Sequence, residues 1–146
     1  MNYLEVYLKI SAEQYLKRLS SDLKYDALYS LMAPKTFKIQ LPDFEPIDVY
    51  ETDLSIQLMA KVGELIDHID QEKCFAYLLN ANYLGQGTGQ QLIGLHPNQK
   101  TILLSHHIYF DIDYIDFKER IEQLFNYVDF FKKHLQTKIP SFLIER

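Results

Sequence analysis

The 146-residue sequence predicts a single α+β domain, spanning residues 1–146, in which helices pack against an antiparallel sheet. The predicted order of elements is α-β-β-β-α-β-β-α. Apolar residues recur at helical spacing near both ends of the chain and over residues 71–84, and they alternate with polar residues in between. A chain of this length typically buries about 70% of its unfolded surface, so it can build a core without disulfides.

Residues 2–31 have the pattern of a helix with a capping box near its start. Ser11 and Gln14 form the signature S-x-x-Q. The apolar residues that follow recur at helical spacing: Tyr15, Leu16, Leu19 and Leu23. Before Ser11 the apolar residues alternate, which fits either a short strand or an additional helical turn. Pro34 closes this helical region.

Residues 36–66 change to a period of two, which is typical of strands with one buried face. The alternation falls into three runs with short links, over residues 37–41, 47–49 and 56–62. Such runs predict an antiparallel meander. A slip of one residue in register would exchange the two faces of each strand.

Residues 71–84 predict a helix that is apolar on nearly every side. A helix of this kind is buried on more than one side, and a domain this small offers little protein to cover it. The cover comes either from a partner subunit or from the sheet and the other helices. We expect a partner subunit, and we predict a dimer interface at Phe75, Leu78, Leu79 and Leu92.

A glycine-rich turn, GQGTG at residues 85–89, follows this helix and precedes a strand. A phosphate-binding loop has the opposite order, because there the helix follows the glycines and directs its N-terminus at the phosphate. The turn after a helix meets carbonyl groups, which repel anions. We therefore expect Gly85 to be the C-cap of the helix, with a positive φ angle, and not part of a cofactor site.

The remaining sequence predicts a hairpin and a last helix. Strands are expected at residues 91–95 and 101–109, joined by a turn that begins at His96-Pro97. Asp113 is expected to cap a helix that ends at Pro140.

The order helix, glycine turn, strand, turn, strand resembles the core of the class I type III secretion chaperones, the Tir chaperone (CesT) family. The resemblance is specific over residues 74–135, and over residues 1–66 only the order of elements agrees. The segments that carry it are Ala81-Asn82-Tyr83-Leu84-Gly85, Thr88-Gly89, Ile93-Gly94-Leu95 and Leu103-Leu104-Ser105.

The resemblance implies a secretion-chaperone-like fold and a cytoplasmic homodimer. Such a dimer binds the extended N-terminal segment of a secreted effector protein and keeps it non-globular until export. The alternative is a structural or regulatory subunit of the same fold in a permanent heteromeric complex.

The first half of the chain is the predicted client site, because the predicted dimer helix lies in the second half. We expect apolar anchors in grooves together with the addition of a client strand to a sheet edge. The candidate client-binding residues are Ile39, Leu41, Val49, Tyr50, Ile56, Leu58 and Met59.

No group of side chains in the sequence indicates an enzyme, a cofactor or a metal site. Cys74, the single cysteine, lies in the apolar helix, where a thiol acts as a small hydrophobic group. His106 and His107 are neighbours on a predicted strand, so their rings point to opposite faces. We therefore expect no catalytic, cofactor-binding or metal-binding residues.

Charge and cysteine content narrow the partners and the compartment that we expect. The net charge of −5 argues against a nucleic-acid partner, which requires a basic face. No apolar run is long enough to span a membrane, and the first ten residues lack the apolar core of a signal peptide. A single cysteine fits a reducing cytoplasm.

Overall fold

The computed structural model describes residues 11–65, 71–82, 91–98, 100–109 and 112–144, which form three helices and one six-stranded antiparallel sheet. The α+β class and the antiparallel sheet are as predicted. The elements are α1 (Ala12–Leu23), β1 (Tyr29–Ala33), β2 (Thr36–Ile39), β3 (Ile47–Glu51), β4 (Ser55–Glu64), α2 (Gln71–Asn82), β5 (Leu92–Leu95), β6 (Thr101–Tyr109) and α3 (Tyr114–Ile144).

The predicted order of elements is wrong at one place, because β1 lies where the sequence predicted the end of the first helix. That helix begins as predicted, with the reciprocal bonds of the Ser11–Gln14 capping box, but it ends at Leu23. Lys24 takes a left-handed φ of 52°, and its N–H bonds the carbonyl of Ser21 at 3.2 Å. The observed order is therefore α-β-β-β-β-α-β-β-α.

Two other boundary predictions have different outcomes. Asp113 caps the last helix as predicted, because its Oδ1 accepts the N–H of Asp116 at 2.9 Å. The helix does not end at Pro140 but continues to Ile144. Proline has a φ that a helix accepts, and the hydrogen bond it removes lies close to the end of the helix. The predicted C-cap at Gly85 lies outside the described residues.

The strand order in the sheet is β1-β2-β3-β4-β6-β5, so β1 and β5 are the two edges. The predicted meander is confirmed as β2, β3 and β4, which pair in antiparallel register. β4 is the longest strand and pairs with both β3 and β6. The two halves of the chain are therefore joined into one sheet along β4 and β6.

One face of the sheet carries the core, which α1 and α3 cover. Buried and less buried positions alternate along β4 and β6, as expected for strands with one covered face. Tyr15 of α1 joins the helices because its ring stacks on Phe117 of α3, with the ring centroids 4.8 Å apart. The Tyr15 hydroxyl donates to the carbonyl of Ile112 at 2.8 Å.

A second contact fixes the start of α3 against α1. The hydroxyl of Tyr114 donates to the Asp22 carboxylate, and the Arg18 guanidinium lies 4.1 Å from the centre of the Tyr114 ring. Burial, together with the hydrogen bond to Asp22, raises the pKa of Tyr114 to about 12. The phenol therefore stays protonated and keeps donating over the whole range in which the protein is handled.

His106 is a buried ionisable side chain on the core face of β6. It is 7% exposed, and its Nε2 lies 2.8 Å from a guanidinium nitrogen of Arg120 on α3. Because a guanidinium has only donors, Nε2 must accept and the imidazole must be neutral. Burial, followed by the positive charge of Arg120, lowers the pKa of His106 to about 4.

The pKa of His106 predicts a loss of stability in acid. Above pH 6.5 the histidine is neutral in both states and contributes no pH dependence. Between pH 6.5 and 4 only the unfolded chain takes up the proton, so stability falls, by at most about 2 kcal/mol at pH 5. Urea unfolding of the wild type and of His106→Gln at several pH values measures this difference.

The Gln variant keeps an acceptor for Arg120 but has no proton to take up. Its stability should fall less than that of the wild type between pH 7.5 and pH 5. The matched control is Ser105→Gln on the other neighbour in β6, which removes no titratable group and should therefore retain the wild-type pH dependence. Equal pH dependence in wild type and His106→Gln would show that the folded protein protonates His106 freely.

Candidate functional site

Four of the seven predicted client-binding residues lie in the core beneath the helices, so their predicted exposure is wrong. At most 1% of each of these side chains is exposed: Ile39, Val49, Ile56 and Leu58. The reason is register, because directly paired residues share a face and the apolar set of each strand faces the helices. A client cannot reach these residues while the domain is folded.

The other three predicted residues are accessible, but they do not form one site. Tyr50 and Met59 lie on the face of the sheet away from the helices, and Tyr50 is 36% exposed. Leu41 is half-buried on the helix side, after the end of β2. A client-binding role for these three residues remains a prediction.

Among the described residues, no strand pairs with the outer side of the edge strand β1, and two of its apolar side chains are exposed. The carbonyl of Leu28 accepts the N–H of Gln40 at 2.8 Å, on the side of β2. The alternation of an antiparallel ladder then turns the N–H and C=O groups of Tyr29 and Leu31 away from β2. Leu31 is 63% exposed and Met32 is 56% exposed. This edge can accept a further strand.

An apolar cavity of about 330 Å³ opens beside the start of β1, between α1, α3 and the loop that joins β2 to β3. Glu122 and Asn126 of α3 are its polar lining residues. Leu28, the residue directly before β1, is part of the cavity wall. The edge strand therefore begins beside the cavity. The apolar walls are Leu19, Leu23, Leu28, Leu41, Phe44, Ile121 and Phe125.

At the opposite edge of the sheet, a side chain caps the outward backbone groups of one residue of β5. Asn82, at the end of α2, accepts the N–H of Ile93 with its Oδ1 at 2.8 Å and donates its Nδ2 to the carbonyl of the same residue. These two backbone groups are among those that an added strand would use on β5. The sheet therefore offers β1, and not this part of β5, for strand addition.

The predicted dimer-interface residues divide between the surface and the core. Phe75 and Leu79 of α2 are 39% and 72% exposed, and Leu92 of β5 is 58% exposed. Leu78 is only 5% exposed, because it belongs to the domain's own core. Its assignment to a dimer interface is therefore corrected. The three exposed side chains lie on α2 and on the adjacent strand β5.

The described residues bring no group of three or more His, Cys, Asp or Glu side chains together in a way that could hold a metal ion. None of the described helices is long and apolar enough to cross a membrane. The accessible features described above are exposed apolar side chains and an open strand edge.

The fold is similar to that of two solved proteins at low sequence identity. One is a chain of the heterodimeric complex ExoU–SpcU from the type III secretion system of Pseudomonas aeruginosa, with a TM-score of 0.56 and 11% identity, covering 68% of this chain and 81% of that one. The other is YbjN from E. coli, a proposed transcription regulator, with a TM-score of 0.59 and 9% identity, covering 90% of this chain and 96% of that one.

The comparisons by sequence give no family. No protein-family model matches the chain, and no curated protein matches it. The likeness therefore concerns the fold, which this chain shares with a protein of a type III secretion complex.

Proposed function

We propose that this protein is a chaperone of the class I type III secretion type, related to the Tir chaperone (CesT) family. Its client is the N-terminal segment of a secreted effector protein, which it holds in a non-globular state until export. The observation that carries this proposal is the exposed edge of β1 beside an apolar cavity. The similarity of the fold to a chain of the ExoU–SpcU complex supports it.

The client would bind as an added strand along β1. Its backbone would bond the outward N–H and C=O groups of Tyr29 and Leu31, which gives affinity without requiring a particular sequence. Alternate side chains of the added strand would face the helix side of the sheet. A client residue beside Leu28 would then lie at the mouth of the cavity and place an apolar side chain in it.

This mode of binding holds the client without letting it fold. A segment paired along an edge is extended, so it cannot build its own core while it is bound. Ordering a disordered segment offsets part of the contact free energy, which leaves the complex reversible. Both properties are required of a protein that must give up its client to an export apparatus.

The capped backbone of Ile93 supports β1 as the edge to which the client binds. Because Asn82 occupies both outward backbone groups of Ile93, the described part of the sheet offers a client strand a longer open ladder along β1 than along β5. The same cap blocks backbone pairing with another strand at Ile93, since an open edge strand is a site of aggregation.

The proposed assembly is a cytoplasmic homodimer formed through α2 and β5. Exposed large apolar side chains on adjacent elements indicate an interaction surface, and here they are Phe75, Leu79 and Leu92. The competing proposal is a permanent heteromeric complex, in which a different chain covers the same surface. The two proposals differ in the behaviour of the protein expressed alone.

Leu31→Asp should weaken client binding by at least about tenfold, because it places a charge at the edge where the client strand pairs. The measurement is a pulldown with the N-terminal segments of the secreted effectors encoded near this gene. The matched control is Leu54→Asp, which charges a leucine that is 78% exposed in the turn between β3 and β4. Full binding by Leu31→Asp would place the client elsewhere.

The protein expressed alone should be a dimer of about 35 kDa, twice its 17.3 kDa chain mass. Leu79→Glu should give a monomer, because it charges a side chain that is 72% exposed in the isolated chain. Light scattering after size exclusion measures both masses. A monodisperse wild-type monomer at micromolar concentration would contradict the homodimer, and aggregation relieved by a co-expressed second protein would favour the heteromeric complex.

A further inference from the structure

One wall of the cavity comes from a loop whose geometry makes it a stiff unit. The loop joins β2 to β3, and within it the N–H of Phe44 bonds the carbonyl of Leu41 at 3.3 Å. Pro42 stands at the second position of this turn, and Asp43 has a φ of 68° at the third. This is the pattern of a type II turn, in which proline fixes the first corner. The turn therefore fixes the backbone from which the Phe44 side chain projects.

Two contacts hold this turn against α3. The ring of Phe44 meets the ring of Phe125 edge to face, with centroids 5.2 Å apart and planes at 70°. Next to it, Glu45 Oε1 lies 2.7 Å from Lys132 Nζ. The side chains of this ion pair are 44% exposed at Lys132 and 32% exposed at Glu45. Water and salt screen a pair as exposed as this one.

We propose that the turn from Leu41 to Phe44 is a gate that narrows the cavity, and that the Phe44–Phe125 contact and the Glu45–Lys132 ion pair hold it in the narrowed position. In this position the Phe44 side chain is still 46% exposed to solvent. An entering apolar side chain would displace Phe44 from Phe125 and replace that contact with its own. Phe44 would thus compete with the ligand for contact with Phe125.

The identity of the entering side chain rests on the proposed function, because we take it to be an apolar residue of the client strand on β1. The gate itself is independent of the client. It predicts that loosening the turn increases the affinity of the cavity for any apolar ligand of suitable size. A fixed wall predicts the reverse, since removing Phe44 would then remove a contact from the ligand.

The first test is a fluorescence titration with the neutral apolar dye N-phenyl-1-naphthylamine. Phe44→Ala should bind the dye about 2- to 10-fold more tightly than the wild type, the factor that one edge-to-face aromatic contact represents. Lys132→Met should tighten binding about 2- to 5-fold, as expected for a partly exposed ion pair. Unchanged or weaker binding by Phe44→Ala would overturn the gate.

Two controls make the titration specific. Lys133→Met removes the neighbouring ion pair with Asp129, which lies within α3 at 2.9 Å and does not touch the loop, so it should bind the dye as the wild type does. Leu23→Arg in the Phe44→Ala background should abolish the gain, because it charges a cavity wall. A gain that survives Leu23→Arg would show that the dye binds outside the cavity and would contradict the proposal.

A second test follows the turn directly. The chain has no tryptophan, so Phe44→Trp places a single tryptophan on the gate, which can be excited selectively over the tyrosines. Acrylamide should quench this tryptophan more strongly in the Lys132→Met background than in the Lys133→Met background. Equal quenching in the two backgrounds would show that the ion pair does not hold the turn.

The gate and the proposed function fail differently. If the dye and quenching results are as expected but no effector segment binds, the function is refuted and the gate remains. If an effector segment binds through β1 while Phe44→Ala leaves dye affinity unchanged, the gate is refuted and the function remains.

Discussion

The burial of one face of the sheet under α1 and α3 determines which surfaces of this protein a partner can reach. Because the apolar side of each strand is used for the core, the surfaces of the described residues that a partner can reach are the strand edges, the outer face of the sheet, the loops and the exposed side chains of α2. The long pairing of β4 with β6 holds the two halves of the chain in one sheet. The stacking of Tyr15 on Phe117 and the hydrogen bond from Tyr114 to Asp22 hold α1 and α3 together over the sheet.

The two edges of the sheet differ in the backbone groups that they leave available for pairing. At β5 the amide of Asn82 satisfies both outward groups of Ile93. At β1 the outward groups of Tyr29 and Leu31 remain available, and the apolar cavity lies beside Leu28. In the proposed binding mode, affinity from backbone pairing and selectivity from one apolar pocket would be combined at one edge.

The fold could be predicted from the sequence where local signals are strong. The capping box of Ser11 and Gln14, the cap at Asp113 and the alternation over β2, β3 and β4 each identify an element without tertiary information. The end of α1 was missed because Lys24 takes a left-handed conformation that glycine usually signals. Without a glycine to mark the end of the helix, the apolar residues of β1 fit a continuation of the helical pattern.

The candidate site was harder to predict because it depends on contacts between distant segments. An alternating strand shows two sets of side chains but not which set faces the core, and Ile39, Val49, Ile56 and Leu58 belong to the buried set. The cavity is formed by leucines of α1, by Ile121 and Phe125 of α3 and by the loop between β2 and β3, which no sequence window contains. The cap on β5 exists only because α2 ends beside that strand.

The central claim is that a client pairs with β1, and amide hydrogen exchange of the complex with an effector segment tests it most directly. The account predicts that the N–H groups of Tyr29 and Leu31 exchange more slowly once the segment is bound. The N–H of Ile93, which Asn82 already holds, should show little change. Protection of other residues with no change at Tyr29 and Leu31 would contradict the account.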